Sequence, residues 1–175
     1  MRFLFPLVLV FTAIGLSIYA YLGGLRTPTV ALETTAAPVL LVGQPYVGKV
    51  DGARFGELFR EASTMQANGR LGVGRTLANL YYNDPEKAHD SIRAFVGLAV
   101  ADTTAALPAG WRYRVVSAGR RTMHARLQGV SFMLAPGKLY AAAEAQIKTQ
   151  KLIKQPPYLE QFGAADNSEL WIGVK

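Results

Sequence analysis

The chain has 175 residues, with 19 Lys and Arg against 12 Asp and Glu, a formal net charge of +7. This length excludes two large domains and allows one modest domain with, at most, an appended segment. Half of the residues are apolar and 18% are charged, a composition that excludes a disordered protein. Because there is no cysteine, disulfides, thiolate nucleophiles and Cys-ligated zinc are excluded as well.

The first predicted element is an apolar N-terminal helix. A run that begins at Phe3 and ends at Leu22 carries no charge, and about 20 such residues match a hydrocarbon core of about 30 Å. A cleaved signal peptide is the alternative, but Tyr21 and Leu22 are bulky where the peptidase needs small side chains. The sequence therefore predicts a single-pass membrane protein, with an anchor and short linker at residues 1–25 and the lipid bilayer as a partner. The flanking basic residues favour a main domain outside the cytoplasm.

Residues 26–175 begin with a strand-helix-strand-strand order. Residues 29–42 are rich in β-branched and aliphatic side chains, which predicts strands. Apolar residues at helical spacing predict a helix over Ala53–Ala67 with one buried face. Two strands are then expected, at 77–82 and at Ile92–Val100.

The second half repeats that order. Strands are expected at 112–116 and 123–127, then a helix at 136–152 and strands at 158–162 and 169–174. The last strands match best, since RAFVGL starting at Arg93 lies over ELWIGV starting at Glu169. The repeat predicts an α+β fold of two modules, at about 28–102 and 111–175, that pack together in a pseudo-twofold arrangement.

Three segments are similar to those of a known family: Tyr81-Tyr82-x-Asp84-Pro85, then Ile92-Arg93 with Val96-Gly97, and the closing Glu169-Leu170-Trp171-Ile172. They resemble the GyrI-like (gyrase-inhibitor-like) small-molecule-binding family, in particular the membrane-anchored branch that includes the testis-expressed reticulophagy receptor. The resemblance implies a ligand cleft between two modules and a pocket glutamate, for which Glu169 is the matching position. The long acidic tail of that receptor does not follow Lys175, so its reticulophagy role is not expected.

The candidate binding residues come from strand alternation. Glu169 and Trp171 share one face of the last strand, and Arg93 and Phe95 share the matching face of its repeat. Aromatic walls with one carboxylate suit a small amphipathic or cationic ligand. The alternative is that these charges are solvated and these aromatics are ordinary packing. Further candidate ligand contacts are Tyr82, Tyr46 and Trp111.

Other sites are not expected. The segment from Gly43 to Lys49 imitates a phosphate loop, but Val50 has no hydroxyl for Mg²⁺ and Pro45 removes an amide. His89 and His124 each stand alone in the sequence, so no metal site is expected. The arginine-rich stretch at 112–126 is interpreted as a solvated or lipid-facing patch rather than a nucleic-acid surface.

The leading hypothesis is a membrane-anchored, non-enzymatic sensor or sequestering domain for a small ligand, with no cofactor. Two alternatives stay open. The first, implied by the resemblance, is a GyrI-like hydrolase of small electrophilic compounds, in which Glu169 would be the general base with a raised pKa. The other is a membrane-tethered module that binds a protein partner through its surface.

Overall fold

The computed structural model describes residues 4–69, 76–88 and 91–175, so His89 lies outside the described residues. These ranges contain three helices and eight strands. In chain order they are α1 (Leu4–Tyr21), β1 (Thr29–Thr34), β2 (Val39–Gly48), α2 (Ala53–Ala67), β3 (Thr76–Tyr81), β4 (Ile92–Val100), β5 (Arg112–Val116), β6 (Arg121–Leu127), α3 (Ala135–Thr149), β7 (Lys154–Phe162) and β8 (Ser168–Val174).

All eight strands form one antiparallel sheet in the order β1-β6-β8-β7-β3-β4-β2-β5. The segments β2-α2-β3-β4 and β6-α3-β7-β8 take equivalent places on either side of the β7–β3 pair. The two edge strands are exchanged between the halves. The strand β1, which precedes the first segment, pairs with β6 of the second, and β5, which precedes the second segment, pairs with β2 of the first. The predicted α+β class is confirmed. The two halves join edge to edge within this one sheet, through the β7–β3 pair.

One face of the sheet carries α2 and α3 and is called the helix face. Alternation along β8 assigns Leu170, Ile172 and Val174 to it, and all three are buried. The apolar side of α3 supplies Leu139 and Ile147 to the same core, as its 3.6-residue spacing requires. The helix α2 lies mainly over β2, β3 and β4, whereas α3 lies mainly over β1, β6 and β8. The strand β7 therefore lies in the seam between the two helices.

The opposite side, called the inner face, is closed by curvature of the sheet. Six strand spacings separate β1 from β2, about 29 Å in a flat sheet, whereas the chain from Thr34 to Val39 reaches only about 17 Å. The sheet must therefore curl until its edges approach. The crossing connections are held together by the amide of Thr35, which donates to the carbonyl of Arg120 at 2.9 Å, and by the amide of Gly119, which donates to the carbonyl of Thr35 at 2.8 Å.

The helix α1 corrects the membrane prediction. It has 18 residues and is about 27 Å long at a rise of about 1.5 Å per residue, shorter than the run from Phe3 to Leu22. Within the described ranges, no helix combines the length and the apolar character needed to cross a bilayer. The single-pass anchor and the localisation beside a membrane that it implied are therefore wrong, and the proposed bilayer partner loses its basis. At its end, α1 is held by Ser131, whose amide donates to the carbonyl of Leu22 at 3.1 Å.

Candidate functional site

The residues predicted from the last strands lie on the inner face but not in one group. Phe95 is 2% exposed and packs in an apolar cluster with Leu80 and Leu159, which Trp171 adjoins. Arg93 is exposed near the start of β4, opposite Val47. The strands β3 and β7 separate β4 from β8, a distance of about 14 Å. The two repeat-related strands therefore do not meet.

The other three candidates lie elsewhere. The ring of Tyr46 packs edge-on against Phe55 at 5.2 Å, and its hydroxyl donates to the carbonyl of Lys49 at 2.6 Å. Trp111 is buried in a cluster around α2 that includes Leu98. Tyr82 is 37% exposed and directly follows β3. Ligand contact by these residues stays a prediction.

Glu169 belongs to a charge network centred on His124. Nδ1 of His124 is hydrogen-bonded to Glu33, and Nε2 lies 2.8 Å from Oε2 of Glu169. The ring stacks on Trp171 with centroids 4.2 Å apart. Nη2 of Arg126 donates to Oε1 of Glu33 at 3.2 Å. Both ring nitrogens of His124 are therefore occupied by carboxylate partners that come from different strands.

Within this network, the carboxylate of Glu169 is already paired with His124 and lies near Arg126. The hydrogen bond from His124 is the main cause that lowers the pKa of Glu169, in spite of its partial burial. Sequence reasoning treated His124 as isolated because Glu33 and Glu169 come from β1 and β8, which flank β6 only in the folded sheet. The ring is 3% exposed.

Beside Trp171, the inner face holds little space. A cavity of about 20 Å³ lies among Val39, Val116 and Leu159, beneath the crossing connections at Thr35 and Arg120. That volume holds about one water molecule. In this conformation that cavity, beside the aromatic ring of Trp171, is too small for an aromatic ligand.

A second carboxylate, Glu160 of β7, lies on the helix face and was missed by sequence reasoning. It is 6% exposed. Its Oε2 accepts hydrogen bonds from Nδ2 of Asn79 at 3.2 Å and from the hydroxyl of Tyr81 at 3.1 Å. The hydroxyl of Tyr140, from α3, lies beside the same carboxylate. We call these four residues the Glu160 cluster.

The electrostatics of the cluster follow from its burial. Burial raises the pKa of Glu160, and the hydrogen bonds from Asn79 and Tyr81 oppose that shift. Burial also raises the pKa of Tyr81 and of Tyr140 well above the ordinary value, so both side chains stay hydroxyls at neutral pH. Within the described structure, Oδ1 of Asn79 has no hydrogen-bond partner.

An aromatic cleft lies on the same side of the sheet, lined in part by residues of β3 and β7. It has a volume of about 450 Å³ and is lined by Phe59 of α2, Leu77 of β3, Phe132 and Phe162 of β7, among others. Phe59 meets Phe162 edge-on at 6.1 Å and stacks with Phe132 at 6.5 Å. The volume lies within the range of small-molecule sites.

The cleft and the cluster share two strands. Phe162 and Leu77 each stand two residues from a cluster member, Glu160 and Asn79 respectively, on the same strand face, a step of about 6.7 Å. Asn79 and Glu160 are also direct register partners across the β3–β7 pair. The signal was present in the sequence, because alternation places Glu160 between Tyr158 and Phe162 as the single charge on an aromatic strand face.

No cluster of three or more metal-ligating side chains occurs in the described ranges. Sequence comparison also finds little: no family model matches the chain, and no curated protein does.

Comparison of folds does find matches. The C-terminal domain of EcmrR has a TM-score of 0.61 at 13% identity, over 86% of this chain and 99% of that one. An integron cassette protein from the mobile metagenome of Vibrio cholerae has a TM-score of 0.62 at 12% identity, over 86% and 97%. SAV2435 bound to tetraphenylphosphonium has a TM-score of 0.54 at 12% identity, over 86% and 94%. These structures have the GyrI-like small-molecule-binding fold, and the chain shares that fold.

Proposed function

We propose that this protein binds a small aromatic cation in the aromatic cleft, with Glu160 as the opposing charge, and that it senses or sequesters that ligand without a reaction. One observation carries the proposal. A carboxylate buried on the helix face, without a cationic partner among the described residues, lies two residues along β7 from Phe162, which lines the aromatic cleft.

The physical argument starts from the cost of the buried acid. An ionised carboxylate away from water is unfavourable unless a cation pairs with it. A bound cation supplies that pair, and the faces of Phe59, Phe132 and Phe162 attract the same positive charge. Because burial raises the pKa of Glu160, loss of its proton and binding of a cation are linked, and binding strengthens as pH rises.

The fold comparison supports the ligand class. SAV2435 is bound to tetraphenylphosphonium, which is both aromatic and cationic. The hydrolase alternative needs a Glu169 with a raised pKa, whereas the hydrogen bond from His124 lowers it. No observation therefore favours that alternative over binding.

The test is isothermal titration of the full chain with tetraphenylphosphonium and with triphenylphosphine oxide, a neutral compound of similar shape. The wild type is expected to prefer the cation. Glu160→Gln keeps the size of the side chain and removes its charge, and should weaken binding of the cation by about 30-fold or more, since loss of one buried charge partner costs about 2–5 kcal/mol.

Glu169→Gln is the matched control on the inner face. Its affinity for tetraphenylphosphonium should stay within about twofold of the wild-type affinity, whereas a tenfold change would correspond to about 1.4 kcal/mol. Unchanged binding by Glu160→Gln would refute the proposal. Loss of binding in Glu169→Gln alone would move the ligand to the inner face, where sequence reasoning placed it.

A further inference from the structure

We propose that the aromatic cleft has a second site for positive charge, at Asp166, and that its ligand is therefore an aromatic cation with a further positive group on a short arm. This inference rests on the proposed function, which supplies the first charge at Glu160, and it names the chemical class of the ligand. It comes from the acidic side chain that lines the cleft itself.

The lining of the cleft is acidic at one position. Of the described residues that line it, Asp166 alone is charged, and the others are apolar or neutral polar side chains such as Ser63 and Gln66 of α2. Asp166 is exposed, so its carboxylate lies where the cleft opens to water, which we call the mouth. The chain as a whole carries a charge of +7, and a carboxylate at the mouth makes the local potential more favourable to a cation. The sign of this charge therefore favours a cation over an anion at the mouth.

The turn between β7 and β8 holds Asp166 in place. Within this turn, the amide of Gly163 donates to the carbonyl of Asn167 at 2.7 Å. The carbonyl of Asp166 accepts a hydrogen bond from the amide of Gly129 at 3.0 Å. Asp166 has a φ of 53°, in the left-handed region that Asp and Asn tolerate better than most other side chains. The backbone therefore fixes the point from which the carboxylate projects, and Asn can replace Asp without a change in the turn.

The carboxylate of Asp166 is available to a ligand. No hydrogen bond or ion pair joins it to another described residue. Arg26 approaches the neighbouring Gly129, but its guanidinium donates to the carbonyl of Gln128 at 3.1 Å instead. Because Asp166 itself lines a space of about 450 Å³, a positive group can reach this carboxylate from within the cleft.

Two carboxylates on opposite sides of Phe162 suit a ligand with two positive charges. Along the chain, Glu160 stands two residues before Phe162 on β7, and Asp166 stands four residues after it, beyond the end of the strand. A ligand with one positive centre pairs with only one of these acids, whereas a further positive group on an arm pairs with the other. An exposed ion pair changes an affinity by about fivefold at most and is screened by salt. The contribution of Asp166 is therefore smaller than that of Glu160 and depends on ionic strength.

The experiment compares propyltriphenylphosphonium with (3-aminopropyl)triphenylphosphonium by isothermal titration of the full chain at low salt. The two probes share the aromatic cation and the three-carbon arm, and they differ in a terminal ammonium. Wild-type protein should bind the amino probe about threefold more tightly, and this preference should shrink at high salt.

Asp166→Asn should remove the preference and leave the affinity for the propyl probe within about twofold of the wild-type affinity. Asp51→Asn is the matched control, because it changes the net charge by the same amount at a residue that is not among those lining the cleft. This control should keep the preference for the amino probe. Loss of the preference in Asp51→Asn as well would show an effect of net charge alone and would overturn the inference.

The other outcomes separate this inference from the proposed function. Equal affinity of the wild type for the two probes overturns the inference, and so does a preference that persists in Asp166→Asn. An equal loss for both probes in Asp166→Asn also overturns it, because the carboxylate would then not act on the terminal ammonium. Glu160→Gln reports on the proposed function, since it should weaken both probes to the same extent and keep their ratio. If it weakens neither, or if the wild type binds neither, the proposed function fails and the inference fails with it.

Discussion

Gly97 allows the tightest approach between two strands in the sheet. It stands on β4 opposite Gly43 of β2. A Cβ atom at this position would lie 1.9 Å from the carbonyl oxygen of Val42 and 2.5 Å from Cα of Gly43. An ordinary contact between carbon and oxygen is about 3.3 Å. The change Gly97→Ala therefore requires β2 and β4 to separate by more than about 1 Å.

The cost follows from what the new methyl group meets. Both atoms belong to the backbone, so no side chain can rotate away. Overpacking costs about 1–3 kcal/mol, and each ladder hydrogen bond that is stretched adds about 1 kcal/mol. The nine register pairs between β2 and β4 make a local adjustment difficult. We expect Gly97→Ala to lower the free energy of unfolding by about 3–5 kcal/mol.

The assay is urea unfolding followed by circular dichroism, with Gly56→Ala as the control. Gly56 lies within α2, and no atom comes within 4 Å of a Cβ there. That variant should gain up to about 1 kcal/mol from helix propensity. A Gly97→Ala protein with wild-type stability and altered ligand binding would refute the structural argument.

Three charged groups give predictions of their own. Burial raises the pKa of Glu160, so the wild type should lose stability as pH rises above the ordinary glutamate value of about 4.3 toward the raised pKa. Urea midpoints measured across this pH range should show this loss in the wild type but not in Glu160→Gln. Parallel pH profiles for the two proteins would contradict the prediction. His124→Phe retains an aromatic ring against Trp171 but removes the two ring nitrogens that pair with Glu33 and Glu169. It should cost about 2–4 kcal/mol in urea unfolding, because two partly buried carboxylates lose their partner. A cost below about 0.5 kcal/mol would show that the network is solvated. The hydrogen bond from Lys154 lowers the pKa of Glu144, and this interaction stabilises the fold above about pH 4.3 and is lost as pH falls. The calorimetric Tm of Lys154→Met should therefore lie below that of the wild type at neutral pH and approach it in acid. A difference in Tm that does not change with pH would refute this prediction.

The elements were predictable because their signals are local. Periodicity alone gives Ala53–Ala67 and Ile92–Val100 with the bounds observed. The strand β2 extends to Gly48, beyond the predicted end at Val42, because its pairing with β4 continues past Pro45. The exchange of β1 and β5 between the halves was not predictable, since alternation along one strand does not specify its neighbour.

The membrane prediction was wrong, whereas ligand binding by the predicted site residues stays a prediction, and the two outcomes have different physical reasons. Apolar length was judged from the uncharged run, whereas the helix that forms has 18 residues. Glu169 was placed on the correct strand face relative to Trp171, but its environment depends on Glu33 and His124, which belong to other strands. A charged residue on a strand face identifies a candidate, and only the strand pairing shows whether its charge is already matched.

Topology also explains why the two faces differ in what they can bind. Exchange of β1 and β5 forces the sheet to curl, and the crossing connections then close the inner face over a space of about one water. On the helix face, α2 and α3 each lie over three strands and leave β7 between them. A carboxylate on β7 is therefore buried by the flanks of two helices without being capped by either. A ligand that pairs with Glu160 must therefore enter between the helices, and its charge partner lies outside β4 and β8, the strands that repeat most closely.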